Sequence, residues 1–393
     1  MSERSQVRLL QAGSATSSFD RFVVGPVLLT IAADFEVSLA RAAAVASLYF
    51  LLYGLSQPLW GLSSDRFGRV ATMRATLAGA ALFGTLSALA PTLELLVLTR
   101  ALTGACIAAV VPAALVYVGD VVPFGRRQQV LTDLNAASAV GITAAIALGG
   151  VLAATLGWRV AFLLPAVAAA GLSVVLRRLP EPPRAPGHEG GVVVALRSRW
   201  GRRVLLLALI EGAALLGLLT YLAPAVESHG VSPTAAGLIV ALYGVGLLLM
   251  SRVVRRLAGR VAAPVFLATG AAALVLAYAA VAISQAPVVV GPAAMVVGAG
   301  WAGMHSTMQA WATEVVPTGR AGMVSLFAAA LFVGSGVATA ALAPLAGDLH
   351  WTAVFSVGVA LSAVFGLASA LGSTRFHRTG FPAQHVPSVT APV

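Results

Sequence analysis

The chain has 393 residues, 59% of them hydrophobic and only 10% charged, against roughly 25% charged in a typical soluble domain. So few charges cannot coat a water-facing surface, and apolar runs near bilayer length recur from end to end, so the sequence reads as a polytopic all-α membrane protein. The basic residues behind the formal net charge of +11 are all arginine, most of them in short loops, a placement that speaks of membrane topology and not of a nucleic-acid partner.

Spans are expected at 12–33, 42–62, 74–91, 94–118, 129–155, 160–176, 204–225, 235–254, 263–283, 287–310, 322–345 and 351–371. The opening "MSERSQVRLLQAG" is too polar to read as a cleavable leader. All but four of the 25 arginines fall on one side of this map. Arg41 and Arg159 fall on the other side, and Arg21 and Arg100 fall inside spans. The arginine-rich side is expected to be cytoplasmic, which puts both termini there and the chain in the cell inner membrane.

The first span raises the central question, because "SSFDRFVVGP" (17–26) sets Asp20 and Arg21 side by side in mid-membrane. A charge there costs roughly 3 kcal/mol on insertion scales and is tolerated where it faces a bundle interior or a wet cavity. Span 4 adds Arg100 and span 7 adds Glu211. A buried carboxyl shifts towards its neutral form and can carry a proton, so Asp20, Glu211, Arg100 and Arg21 are the candidate proton-coupling residues. Static ion pairs that only orient helices are the competing reading. A ruler of 1.5 Å per residue leaves Asp20 and Arg100 up to about 10 Å apart in height. Tyr49 and Tyr53 in span 2, Asn135 in span 5, and Trp301, His305 and Gln309 in span 10 are candidate cavity residues. Packing and interface anchoring compete with that role for the aromatics. Asp133, near the start of span 5, reads either as a helix-start charge or as part of the route.

The second half echoes the first at an offset of about 194 residues. "GDVVPFGRRQQVL" (119–131) returns as "TEVVPTGRAGMVSL" (313–326), and "VSLARAAAVASLYFLLYG" (37–54) as "VSPTAAGLIVALYGVGLL" (231–248). The expected organisation is an N-terminal six-helix bundle over 1–178, a linker over 179–203 rich in Pro, Gly and Arg, a second bundle over 204–375, and a disordered tail over 376–393. Two such halves suit a transporter with its substrate site between them.

The loop "GLSSDRFGRV" (61–70) resembles the signature of the major facilitator superfamily, matching at Gly61, Asp65, Arg66, Gly68 and Arg69 and departing at Ser63 and Val70. "RALTG" (100–104) is similar to a span-4 motif of proton-coupled members, with Thr103 where glutamine is usual. "AIALGG" (145–150) keeps Gly149 and Gly150 of a span-5 antiporter motif but has Ala145 and Ile146 in place of Gly-Pro. The resemblance implies twelve transmembrane helices in two pseudo-symmetric bundles, and a gating loop in which Asp65 faces the start of span 11 near Gly322 and Arg69 pairs with Asp120. It also implies proton-coupled efflux of a small, largely apolar drug or metabolite by a monomer. A proton symporter or facilitator for uptake is the alternative. No enzyme, metal or cofactor pattern is present: the six histidines are scattered, and a chain without lysine has no phosphate-binding Gly-x-x-x-x-Gly-Lys loop.

Overall fold

The computed structural model describes residues 3–182, 191–257 and 259–378; these form helices and turns, with no strand among them. Twelve helical segments run back and forth in chain order. The first, α1, runs through Glu3–Phe22, a 3₁₀ turn at Gly25–Val27 and Leu28–Asp34. It is followed by α2 (Leu39–Phe67), α3 (Arg69–Ala88), α4 (Leu93–Val121), α5 (Phe124–Thr155) and α6 (Trp158–Arg178). The second six are α7 (Arg199–Glu227), α8 (Pro233–Leu257), α9 (Ala263–Ile283), α10 (Pro287–Glu314), α11 (Arg320–Gly347) and α12 (Trp351–Arg378). Ten of them are long and apolar enough to cross a bilayer by hydropathy alone. The other two, α1 and α3, are diluted by charges: Arg4, Arg8, Asp20 and Arg21 in α1, and Arg69 and Arg74 in α3.

Most helices outrun the spans read from hydropathy, because hydropathy marks the apolar stretch and not the helix ends. The helix of α7 starts at Arg199, where Ser198 caps it by accepting from the Gly201 N–H. A short helix, Gly191–Arg197, occupies part of the expected linker; residues 183–190 of that linker lie outside the described residues. The last helix runs through Arg378, so Phe376 is not tail: its buried ring packs on Trp200 and Trp311. The rest of the expected tail, 379–393, lies outside the described residues.

The fold is two pseudo-symmetric six-helix bundles. Within the first, α1 packs on α5, α3 on α6 and α2 on α4; within the second, α9 packs on α12, α8 on α10 and α7 on α11. The bundles meet along two related seams, α2 against α11 and α5 against α8. Small residues bring these backbones together, as they do wherever lipid offers no hydrophobic drive. A Cβ at Gly150 would run into the Pro233 carbonyl, and one at Gly336 would stand 2.7 Å from the Ser47 carbonyl. The α2–α11 seam runs the length of both helices, from Gly61 beside Ser325 to Ala40 beside Gly347.

Candidate functional site

The helix of α1 ends at Phe22, so its last-turn carbonyls lack intrahelical partners. Pro26, which has no N–H, sets the 3₁₀ turn that follows. One of those carbonyls, that of Asp20, accepts from Arg100 Nη2 at 2.9 Å. The Asp20 carboxylate accepts from Arg100 Nη1 at 2.7 Å and from the Tyr49 hydroxyl at 2.7 Å. Asp20 is 2% exposed and Arg100 and Tyr49 are fully buried, so the group is dry. The Tyr49 and Phe162 rings lie 4.6 and 4.4 Å from the guanidinium carbon, spreading the positive charge over two π faces. The structure thus closes the height gap between Asp20 and Arg100. The ruler assumed straight helices and measured from backbone to backbone, whereas α1 breaks at Gly25–Val27 and a guanidinium stands far from its own backbone. Gly104 completes the arrangement: a Cβ there would lie 2.7 Å from the Tyr49 carbonyl, so only glycine lets α2 bring Tyr49 this close. The arginine and glycine of "RALTG" therefore serve one site, while Thr103 bonds back to the Thr99 carbonyl of its own helix.

The second bundle holds a related pair. Glu211 of α7, fully buried, meets His305 Nδ1 of α10 at 3.0 Å. Its other oxygen is buried without a partner. The His305 ring stacks against Trp301 at 4.6 Å between centroids and also faces Phe327. Directly after Glu211, α7 winds into a π-helical turn over Ala213–Gly217. Such turns free carbonyls, and here side chains take two of the nearby ones: Ser335 donates to Gly212 and Tyr278 to Ala214. Both bundles therefore set an acid of their first helix against a base of their fourth.

Arg21 points away from Asp20. It donates to the Tyr53 hydroxyl at 3.1 Å and to Ser18 Oγ at 3.2 Å, and lies over the Tyr53 and Phe332 rings. Phe332 belongs to α11, so this contact crosses between the bundles. Arg21 borders a cavity between them with about 20 Å³ of free space, enough for a water-sized molecule. Its other walls are apolar except for Thr220 and come from α1, α2, α5, α7 and α8. None of the six expected cavity residues borders it. Tyr49 and Tyr53 are buried because their hydroxyls serve Asp20 and Arg21. Trp301 and His305 are half-buried, with His305 against Glu211, and Asn135 and Gln309 are exposed. Asp133 lines a separate opening of about 170 Å³ with Arg4, Arg8 and Arg126, at the end of α1 and α5 that carries their first residues.

In the signature loop, Gly68 has φ +104°, which a side chain rarely adopts. Arg69 pairs with Asp65, and its Nε meets Asp120 at 3.4 Å. Arg66 is exposed, over the Phe67 ring. Asp65 thus pairs within its own loop, while the first turn of α11 at Gly322 packs on Gly191 of the linker helix. Sequence reading missed Glu181 altogether: its carboxylate accepts from the Val70 and Ala71 N–H groups and caps α3 beside Gly68. The "GWR" stretch also gains a role, since Trp158 and Arg159 both donate to Asp34 at the end of α1. No group of metal-ligating side chains occurs among the described residues.

Comparison with known proteins points one way. A sequence model of the Major Facilitator Superfamily matches residues 12–340. A triacylglyceride transporter of Mycolicibacterium hassiacum is 31% identical over 198 residues, 46% of this chain and 35% of that protein. An efflux pump of Gibberella fujikuroi, apf11, is 28% identical over 234 residues, 58% of this chain and 41% of that protein. The matches span about a third to two fifths of these relatives' lengths. Among solved structures, a bacterial homologue of the human lysosomal transporter Spinster, in an inward-facing conformation, superposes with a TM-score of 0.77. That match covers 96% of this chain and 99% of the other at 18% identity, a likeness of fold.

Proposed function

Since the chain belongs to the Major Facilitator Superfamily and is a transporter, not an enzyme, we propose that it exports a small, largely apolar compound by alternating access, driven by protons. The observation that supports this reading is the dry ion pair of Asp20 with Arg100 and Tyr49, set one residue from an arginine on the cavity between the bundles. Ionised Asp20 is held by a fixed cation and a phenol. When the bundles part and water enters, protonation removes the Coulombic hold of Arg100. The neutral acid then tolerates the next closed state. The Glu211–His305 pair offers a second protonatable group with an oxygen to spare. In this reading the Asp65–Arg69–Asp120 cluster latches the end of the bundle near the signature loop. Residues 1–178 and 204–375 are the rocking units, and the protein works as a monomer in the inner membrane with both termini cytoplasmic.

The name of the apf11 relative supports export. Ala145 and Ile146, where drug antiporters carry Gly-Pro, favour the second reading, uptake by symport or facilitation. A deletion strain separates the two. Export predicts that the transported compound accumulates inside the deletion strain and that restoring the wild-type gene, but not Asp20→Asn, clears it. A fall in the intracellular level on deletion refutes export. Clearance by Asp20→Asn refutes proton carriage by that residue.

A further inference from the structure

Three of the arginines outside the spans gather at one cleft. It opens between the beginnings of α1 and α5 and has about 170 Å³ of free space, where a single water needs only ~10–15 Å³. Six of the eight described residues that line it are polar or charged: Arg4, Arg8 and Gln11 from α1, and Arg126, Gln129 and Asp133 from α5. Membrane topology asks for arginines at this end of the helices, but it does not ask them to converge on one cavity. The side chains of Arg4, Arg8 and Asp133 have no hydrogen-bond or ion-pair partner among the described residues. Oppositely charged groups thus share one space without closing on each other, and a further group fits between them.

Depth in the membrane adds a second observation. The apolar stretches of these two spans begin at 12 and 129, and both helices start several residues earlier and run into them unbroken. At 1.5 Å per residue, Arg126 and Arg8 stand about 4–6 Å beyond the hydrocarbon boundary, and Arg4 about 12 Å beyond it. The headgroup layer of each leaflet is roughly 5–7 Å thick. Arg8 and Arg126 therefore stand at the level of lipid phosphates, and Arg4 at the aqueous rim.

We infer that this cleft is a binding site for a phosphoryl group, gripped by Arg4, Arg8 and Arg126 with the amides of Gln11 and Gln129 as further donors. A carboxylate fills one guanidinium fork, whereas a phosphoryl group has oxygens left for a second. Asp133 repels the anion and so limits how tightly it is held. The group comes from a phospholipid of the leaflet, since basic pockets between spans take lipid headgroups, or from a soluble phosphate compound that enters from the rim. Either way its oxygens join α1, the helix of Asp20, to α5, and occupancy protects the first bundle against heat.

The test uses the full chain in dodecyl maltoside, a detergent with neither charge nor phosphate. Dioleoyl phosphatidate, glycerol phosphate and oleate are titrated separately. Bound molecules are counted by native mass spectrometry, and melting is followed in parallel. Phosphatidate or glycerol phosphate is expected to bind as a single molecule and to raise the melting temperature; whichever binds more tightly identifies the source of the group. Oleate, anionic but without phosphate, is expected to bind several-fold more weakly. Arg8→Gln and Arg126→Gln are each expected to weaken phosphoryl binding about five-fold, the share of one arginine near an anionic headgroup, and Asp133→Asn to tighten it. Arg260→Gln removes the same charge from the same side of the membrane, outside the cleft, and is expected to leave binding unchanged. None of the four side chains is buried, so the variants fold. The inference is overturned if neither phosphoryl probe binds, or if oleate binds as tightly as phosphatidate. It is also overturned if Arg260→Gln weakens binding as much as Arg8→Gln, the mark of diffuse surface charge. No readout here involves transport, so the result is separate from the export reading.

Discussion

At the scale of single residues, Asp20 and Arg100 make an unequal pair, because only one of them can change its charge. Arg100→Ala leaves an ionised or neutralised acid in a dry site with only Tyr49 to answer it. Breaking a buried pair from one side costs about 3–5 kcal/mol. The expected outcome is a marked drop in melting temperature in nanodiscs together with loss of transport. Arg100→Lys restores the charge but not the fork that reaches both the carboxylate and the Asp20 carbonyl, so it rescues only partly. Full transport by Arg100→Ala would remove Arg100 from the mechanism. Asp20→Asn resembles the protonated acid and is expected to spare downhill exchange while abolishing accumulation against a gradient. Proteoliposomes with an imposed pH difference, scored for counterflow and accumulation separately, check this. The sequence announced these charges by their cost in hydrocarbon, but not their partners. Tyr49 looked like one more aromatic in a span, and its role depends on a hydroxyl meeting a carboxylate 29 residues away. Glu181 was invisible for the same reason: the N–H groups that it caps stand 110 and 111 residues away in the chain.

At the scale of elements, the site depends on how closely helices approach. Gly104 is the test case. A side chain there meets the Tyr49 carbonyl and ring, so α2 has to move off α4, and Tyr49 loses Asp20. Overpacking of this kind costs typically 1–3 kcal/mol. Gly104→Val is therefore expected to lower the melting temperature and to impair transport, although it removes no charged or hydrogen-bonding side chain. Tyr49→Phe, which leaves the helix spacing alone, is expected to impair transport with a smaller loss of stability. Equal stability of Gly104→Val and the wild type would show that α2 does not rest on that glycine. Spans were legible as elements because ten of twelve are long and apolar enough to cross a bilayer. Their breaks were not. The π turn at Ala213–Gly217 carries no proline, and the linker helix Gly191–Arg197 lies in a stretch whose composition signals a loop.

At the scale of the whole molecule, the two bundles are held together along α2 and α11 at both ends. The repeat in the sequence made two related halves legible, but a repeat says nothing about which faces meet or whether they are closed. Alternating access requires that the seam part at one end while the other stays shut. The contacts name the positions for testing this. Gly61 and Ser325 face each other at the end near the signature loop, and Ala40 and Gly347 at the opposite end. Cys106, the single cysteine, can first be replaced by alanine, so that introduced pairs are the only thiols. Cysteines at Ala40 and Gly347 are expected to cross-link on oxidation, because a Cβ at Gly347 comes within 2.9 Å of the Ala40 Cβ. Cysteines at Gly61 and Ser325 are expected to join at least through a short bifunctional thiol reagent. Each cross-link is expected to arrest transport, and a reductant to restore the disulfide-linked pair. The single-cysteine variants, treated alike, should keep their activity. Because each lock holds one end shut, each should also leave the other end reachable by a water-soluble thiol label at a third cysteine, and the two locks should give opposite labelling patterns. Transport that continues with either end joined would mean that α2 and α11 never part there, and that the cargo passes without the bundles rocking.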